Sequence, residues 1–459
     1  MEHKLTIGAS RASNLPFASG AALLIAALVA GFALFAFDAP LPTLLVLAGA
    51  TAVAALLLCP ELALALYVVV GDVKGDDRVA SLFPVDLTLA LGAILVAGIV
   101  LNFLRKKRMV PMPPAYFLFL ALVALMAASL AYTPVLDAGL EKLARFLTVT
   151  GIVIVAPFFL LGTPQAMKRF LIAFSVAAFS ICAFSLANLG GSERLVTPSN
   201  NTIGLGHIAC ALIALIWFAL VARFSFPQRM FTYLLLTVPA VALLGSGSRG
   251  PAVALGIVIL GSLFFYRHLL LDFVCLTILG IIAVPFLHIP ASAFEYMGSL
   301  IRSRSITALL SFRGELLDYG WTLLQQHPLV GAGMQGYRYN SPNAAVYNWP
   351  HNIFLEVACE LGIPAGLLVL ALFVAALRES IHQLKDLASP VATLSQVAAA
   401  LLLIGIVNAT NTGDINSDRS TWLFLSLVFV VRGYRLQSQP RPLAALAAHP
   451  RPAARPVPA

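Results

Sequence analysis

Residues 87–108 read LTLALGAILVAGIVLNFLRKKR, and this stretch decides the fold. It opens with an uncharged run of membrane-crossing length and closes on Arg105-Lys106-Lys107-Arg108. A helix needs about 20 mostly apolar residues to span a hydrocarbon core of about 30 Å. The apolar residues run continuously rather than alternating, which excludes a half-buried strand. Backbone groups in lipid must pair within their own segment or around a closed barrel, so such runs select helices.

The pattern recurs along the chain, with apolar segments near 20–37, 41–58, 61–71, 85–104, 115–132, 143–162 and 167–188, then 203–223, 230–245, 251–266, 268–287, 352–377, 393–409 and 421–433. Over 459 residues, 60% are hydrophobic and 11% charged, with mean hydropathy +0.92. Soluble chains carry about 25% charge, so a set of soluble domains is excluded. The expectation is an all-α polytopic membrane protein with about 12–14 transmembrane helices, the uncertainty lying in the short segments 61–71 and 421–433.

The basic loops orient this threading. Positive residues concentrate in cytoplasmic loops, and Arg105 to Arg108 is the strongest marker. Every second loop from there carries Lys168 and Arg169, Arg223 and Arg229, Arg267, Arg378 and Lys385, then Arg432 and Arg435. The N-terminus is cytoplasmic if 61–71 crosses the membrane. It is outside if 41–71 forms one kinked helix. The expected organisation is a cytoplasmic segment 1–19, transmembrane helices over 20–287, a long periplasmic loop 288–351, C-terminal transmembrane helices over 352–433, and a disordered basic Pro/Ala-rich cytoplasmic tail 434–459. Within the long loop, Arg313 to Gln326 reads as an interfacial helix with Leu316, Leu317, Trp321 and Leu324 on one face.

The net charge of +9 sits mostly in short loops and is not interleaved with aromatics, so no nucleic-acid partner is expected. Five cysteines lie scattered in apolar stretches without a CxxC pair, which predicts neither a metal site nor a disulfide framework. No cofactor is expected.

Two stretches match GxGxxG, at 245–250 and 331–336. A dinucleotide site needs that spacing inside a βαβ unit, which this chain has no room for. The first stretch, Gly245 to Pro251, does place Ser248 as an N-cap and Pro251 in the first turn of a helix. Backbone N–H groups and Arg249 would there face an anion. The alternative is a tight turn with an interfacial arginine. In the second region Pro350 restricts Trp349 to extended backbone, so His351 and Asn352 open a helix. A partly dehydrated His351 suits a general base, and a plain interfacial cap is the other reading. Arg194, Asn200, Asn201 and His207 surround another helix entry. Lys142 and Arg145 share a helix face, and Arg338 lies in the long loop. Asp72, Asp76 and Asp77 read as a solvated cluster, and Asp414 with Asp418 as a weak cation pair.

Taken together, the turn Gly247-Ser248-Arg249-Gly250, Arg313 with Trp321, His327-Pro328-Leu329-Val330-Gly331-Ala332-Gly333, Pro350-His351-Asn352-Ile353-Phe354-Leu355-Glu356 and Glu360-Leu361-Gly362-Ile363-Pro364-Ala365-Gly366 resemble the O-antigen ligase and polysaccharide polymerase superfamily of bacterial inner membranes. These pieces span about 230–376 of the sequence. The resemblance implies a metal-independent inverting glycosyltransferase of the membrane C type. Its donor is a glycan on undecaprenyl diphosphate, and its acceptor is a sugar hydroxyl on lipid A core or on a second lipid-linked repeat. It implies diphosphate binding by Arg249 and Arg313 and proton removal by His351. Ser248, Arg194, Arg145, Arg338 and Asn352 are further candidate substrate contacts from their place in the sequence. Membrane lipids are the remaining expected partner. A lipid-linked glycan transporter is the rival of a different class. Such proteins show internal repeats and polar residues at the bilayer midplane, whereas the ionisable residues here gather at segment ends.

Overall fold

Proline and glycine set most of the helix boundaries in the computed structural model, which describes residues 41–82, 85–187, 194–270, 272–274, 278, 306–341, 348–411 and 413–438. Helices predominate among the described residues, which contain no strand. In order these are α1 (Leu41–Leu58), α2 (Pro60–Val69), α3 (Leu87–Leu104), α4 (Tyr116–Ser129), α5 (Leu136–Leu160) and α6 (Pro164–Leu186). There follow α7 (Thr202–Val221), α8 (Phe226–Ser246), α9 (Arg249–Phe265), α10 (Ile306–Gln326), α11 (Gly336–Asn340), α12 (Ile353–Leu361), α13 (Ile363–Leu384), α14 (Ala392–Asn411) and α15 (Arg419–Ser438).

Seven of these helices are long and apolar enough to cross a membrane, or eight if the bent pair around Cys59 forms one span. α4 and α9 are apolar but shorter. The expected count of 12–14 is higher because segment 20–37 and most of 268–287 lie outside the described residues, α4 and α9 are short, 41–71 is a bent pair, and α15 is not among the candidate spans. Segment 352–377 still supplies one span although it breaks in two. That break is at Gly362, whose φ of +87° ends α12. α7 and α14 are the most enclosed spans and pack against each other. α14 also packs against α9, α12, α13 and α15, so it forms the centre of the bundle.

The bundle has two chemically distinct ends. At one, Val110 N donates to the Phe158 carbonyl, Gln437 Nε2 to Met109 O, and Arg223 Nη2 to Gln396 Oε1. Arg435 pairs with Asp386 at 2.6 Å, and Arg169 Nε with Glu61 at 2.9 Å. The basic loops assigned to one side thus meet at one end. At the other end Ser199 N donates to Asp72 O, Leu195 N to Gly245 O, and Asn352 Nδ2 to Thr410 O. α2 connects the two, running antiparallel to α3 so that Gly98 faces Pro60 and Gly92 faces Tyr67. The bend of 112° at Cys59 makes α1 and α2 distinct segments rather than one gently kinked helix.

The loop after α10 docks on α12 through glycine. Ala332 N and Gly333 N donate to Cys359 O and Glu360 O, and Ile363 N donates to Pro328 O. A Cβ on Gly331 would lie 2.2 Å from the Glu360 carbonyl carbon, and that residue holds φ +71°. The second GxGxxG match is therefore a packing device. α10 itself buries Leu316, Gly320, Leu323 and Leu324 against α12 and Tyr337. Trp321 of the same helix is 57% exposed.

Candidate active site

Four helices begin at the same end of the bundle. Asn201 caps α7 by accepting from Gly204 N at 2.9 Å, and Asn352 caps α12 by accepting from Leu355 N at 3.0 Å. Asp418 takes the Thr421 hydroxyl at 2.7 Å and its N–H at 3.4 Å, capping α15. Ser248 precedes α9, as expected, but its hydroxyl donates to Thr202 O at 2.9 Å and so ties α9 to α7. α9 therefore has no side-chain cap. Gly206 allows this approach, because a Cβ there would lie 2.7 Å from that of Ser248. Helix N-termini carry partial positive charge, and four together favour anions.

Arg249 is the first residue of α9 and is half-buried. Arg194 Nε donates to Ser246 O at 2.7 Å, so a second guanidinium flanks the α8–α9 turn. Gly247 completes the turn in the left-handed region, at φ +60°. Arg313 lies on α10 about 10 Å along the axis from Gly320, which packs near Pro350 and Leu355. The side chain of Arg313 lies outside the described residues.

His351 is half-buried and holds φ +57°, an uncommon conformation outside glycine, in which histidine is enriched. Its Nδ1 accepts from the Trp349 indole N–H at 3.2 Å, the two rings meeting edge to face at 5.7 Å. A ring placed this way and neutral carries its proton on Nε2, leaving Nδ1 as the basic nitrogen. Both residues line a cavity of about 220 Å³, with Asp72 from the end of α2, His207 on α7, and Asp418 and Arg419 at the start of α15. Arg419 lies over the Tyr67 ring at 5.5 Å, with Nη1 donating to Tyr67 O at 3.3 Å. Burial pushes the Asp418 carboxyl up to about 6, against the lowering effect of its hydroxyl and amide donors.

Behind His351 lies a second polar group. Lys142 of α5 pairs with Glu356 at 2.7 Å and Glu360 at 2.6 Å, all three buried. Glu356 Oε2 also accepts from Ile415 N at 3.0 Å, and Asn416 Nδ2 donates to Lys142 O at 3.2 Å. This node joins α5, α12 and the segment that delivers Asp418 and Arg419.

The structure distributes the remaining expected residues unevenly. Asn352 spends both ends of its amide on Leu355 N and Thr410 O. Arg145 is exposed and sits 3.8 Å from Glu141, while Lys142, expected beside it near the surface, is buried. Arg338 is exposed on α11. The supposed solvated acidic cluster separates: Asp72 lines the cavity, Asp76 is buried and Asp77 is exposed. Asp414 spends its carboxylate on Asn416 and Ser417. Among the described residues, no group of three or more His, Cys, Asp or Glu side chains could hold a metal. Sequence reasoning missed Arg419 and the lysine node. The available signal for the node was two carboxylates, Glu356 and Glu360, one turn apart on an apolar helix, which demands a buried cation.

Residues 232–370 match the family described as Wzy_C, O-Antigen ligase. No curated protein matches the chain significantly. The matched region runs from α8 to α13 and contains Ser248, Arg249, Arg313, His351 and the glycine loop docked on α12.

Proposed function

We propose that the chain, whose residues 232–370 match the O-antigen ligase family, is a membrane glycosyltransferase of the O-antigen ligase and polymerase superfamily. It transfers a glycan from an undecaprenyl-diphosphate carrier to a sugar hydroxyl of lipid A core, working at the periplasmic face of the bacterial inner membrane. The observation that carries this reading is the convergence of His351 with the starts of α7, α9, α12 and α15 beside Arg249.

In an inverting displacement, the acceptor oxygen bonds to the anomeric carbon as the bond from that carbon to the diphosphate oxygen breaks. The electron pair leaves with the lipid diphosphate. Arg249, the uncapped start of α9 and Arg313 meet that growing charge, since donors aimed at developing charge in a water-poor site are worth most in the transition state. The acceptor proton passes to His351. Its basic nitrogen is Nδ1, so the acceptor hydroxyl takes the place of the Trp349 indole before transfer. General bases of this kind contribute about 10²–10⁴-fold.

The polymerase reading uses the same donor and residues and differs only in the acceptor. Transfer in vitro from a lipid-diphosphate glycan separates the two. A product on lipid A core is expected, and lengthening of the lipid-linked glycan instead assigns a polymerase. No product with either acceptor would contradict the whole reading.

A further inference from the structure

The cavity of about 220 Å³ is distinct in charge from the arginine turn beside it. It is lined by two carboxylates, Asp72 and Asp418, against one guanidinium, Arg419, with the imidazoles of His207 and His351 and the ring of Trp349. A diphosphate placed among those carboxylates would meet like charge, which disfavours it. The arginines at 194 and 249 flank the α8–α9 turn instead. A neutral ring rich in hydroxyls fits the cavity's polar groups: carboxylates accept hydroxyl protons, a guanidinium donates in a fixed plane, and an amphipathic indole covers an apolar ring face. The volume is large enough to seat one sugar ring.

We propose that the cavity between α2, α7 and the start of α15 is a monosaccharide subsite that seats the acceptor ring, with Asp72, Asp418 and Arg419 as its hydroxyl ligands. This rests on the transfer reading for the ring's role, but ring binding stands apart from transfer. Tyr67 holds Arg419 from behind through its carbonyl and ring face, so the guanidinium is positioned before a ligand arrives. Asp72 reaches the α7 start because residue 204 is glycine, where a Cβ would lie 2.1 Å from its carboxylate. The donor's first sugar has the same chemistry, yet its bonded diphosphate would have to sit beside these carboxylates.

The test is tryptophan emission of the full-length protein in nanodiscs, titrated with the methyl glycosides of glucose, galactose, mannose and N-acetylglucosamine, with inorganic pyrophosphate as the anion arm. At least one glycoside should bind saturably to the wild type. Arg419→Gln and Asp418→Asn should weaken it about ten-fold or more, the loss expected for one charged hydrogen bond. Asparagine caps helices as well as aspartate, so Asp418→Asn keeps α15 capped and decides the matter should Arg419→Gln fail to fold. No saturable glycoside, unchanged binding in Asp418→Asn, or a response to pyrophosphate alone would overturn the subsite. In the transfer assay Asp418→Asn should raise the acceptor KM and leave the donor KM unchanged, whereas the reverse assigns the ring to the donor and overturns the acceptor assignment. Glycoside binding without any transfer would break the transfer reading and leave the subsite intact.

Discussion

Two groups of charge lie at the same end of this bundle, one buried and one partly exposed at a cavity wall, and they are built oppositely. Lys142, Glu356 and Glu360 form a node in which the ammonium meets both carboxylates and Ile415 N donates to a further oxygen, while Glu360 Oε1 is left without a hydrogen bond among the described residues. Asp72, Asp418 and Arg419 instead line a cavity with His351 at its wall. Charges in low dielectric persist only when partnered. The node's charges are one another's partners, and so brace α5 against α12. The cavity groups also have protein partners, Asp418 in the donors of Ser420 and Thr421 and Arg419 in the carbonyl and ring of Tyr67, but they border a volume large enough for a ligand. Similar residue types therefore serve as scaffold in one place and as a candidate site in the other.

Breaking the node should have the larger effect on stability. Lys142→Met strands two buried carboxylates, and removing one partner of a buried pair costs about 3–5 kcal/mol. The variant should unfold at markedly lower temperature in detergent. The triple variant Lys142→Met, Glu356→Gln, Glu360→Gln should recover most of the loss, because glutamine still accepts from Ile415 N. Unchanged melting of Lys142→Met would remove the contrast between the two regions.

A smaller effect sharpens the cavity side. The Trp349 indole donates to the lone pair of His351 Nδ1, which favours the neutral ring and lowers its basicity. Asp72, His207, Asp418 and Arg419 face the same space and set the background field. Trp349→Phe keeps an aromatic ring but removes the donor. The acidic limb of kcat/KM should then move to higher pH, by about half to one unit for a hydrogen bond near 1 kcal/mol. A shift to lower pH would mean that Nδ1 is not the basic nitrogen.

Much of the architecture was legible in the sequence because bilayers constrain it. Continuous apolar runs, the basic loops and the entries at Ser248 and Asn352 all follow from local rules. The site was legible only where chemistry and helix starts coincide in sequence, as at Arg249 and His351. Lys142 lies far from Glu356 in the chain, and Arg419 far from Asp72, so their meeting depends on how α2, α5, α12 and α15 pack. The face that α10 buries, Leu316, Gly320, Leu323 and Leu324, was less legible because it is centred on a glycine that a hydrophobic pattern does not count.

The proposed function turns on His351 removing the acceptor proton in transfer from a lipid-diphosphate donor. Single-turnover transfer by full-length His351→Ala with donor and acceptor saturating measures that step. The rate should fall by about 10²-fold or more, with melting temperature and membrane insertion unchanged. Transfer by His351→Ala at the wild-type rate would contradict that role.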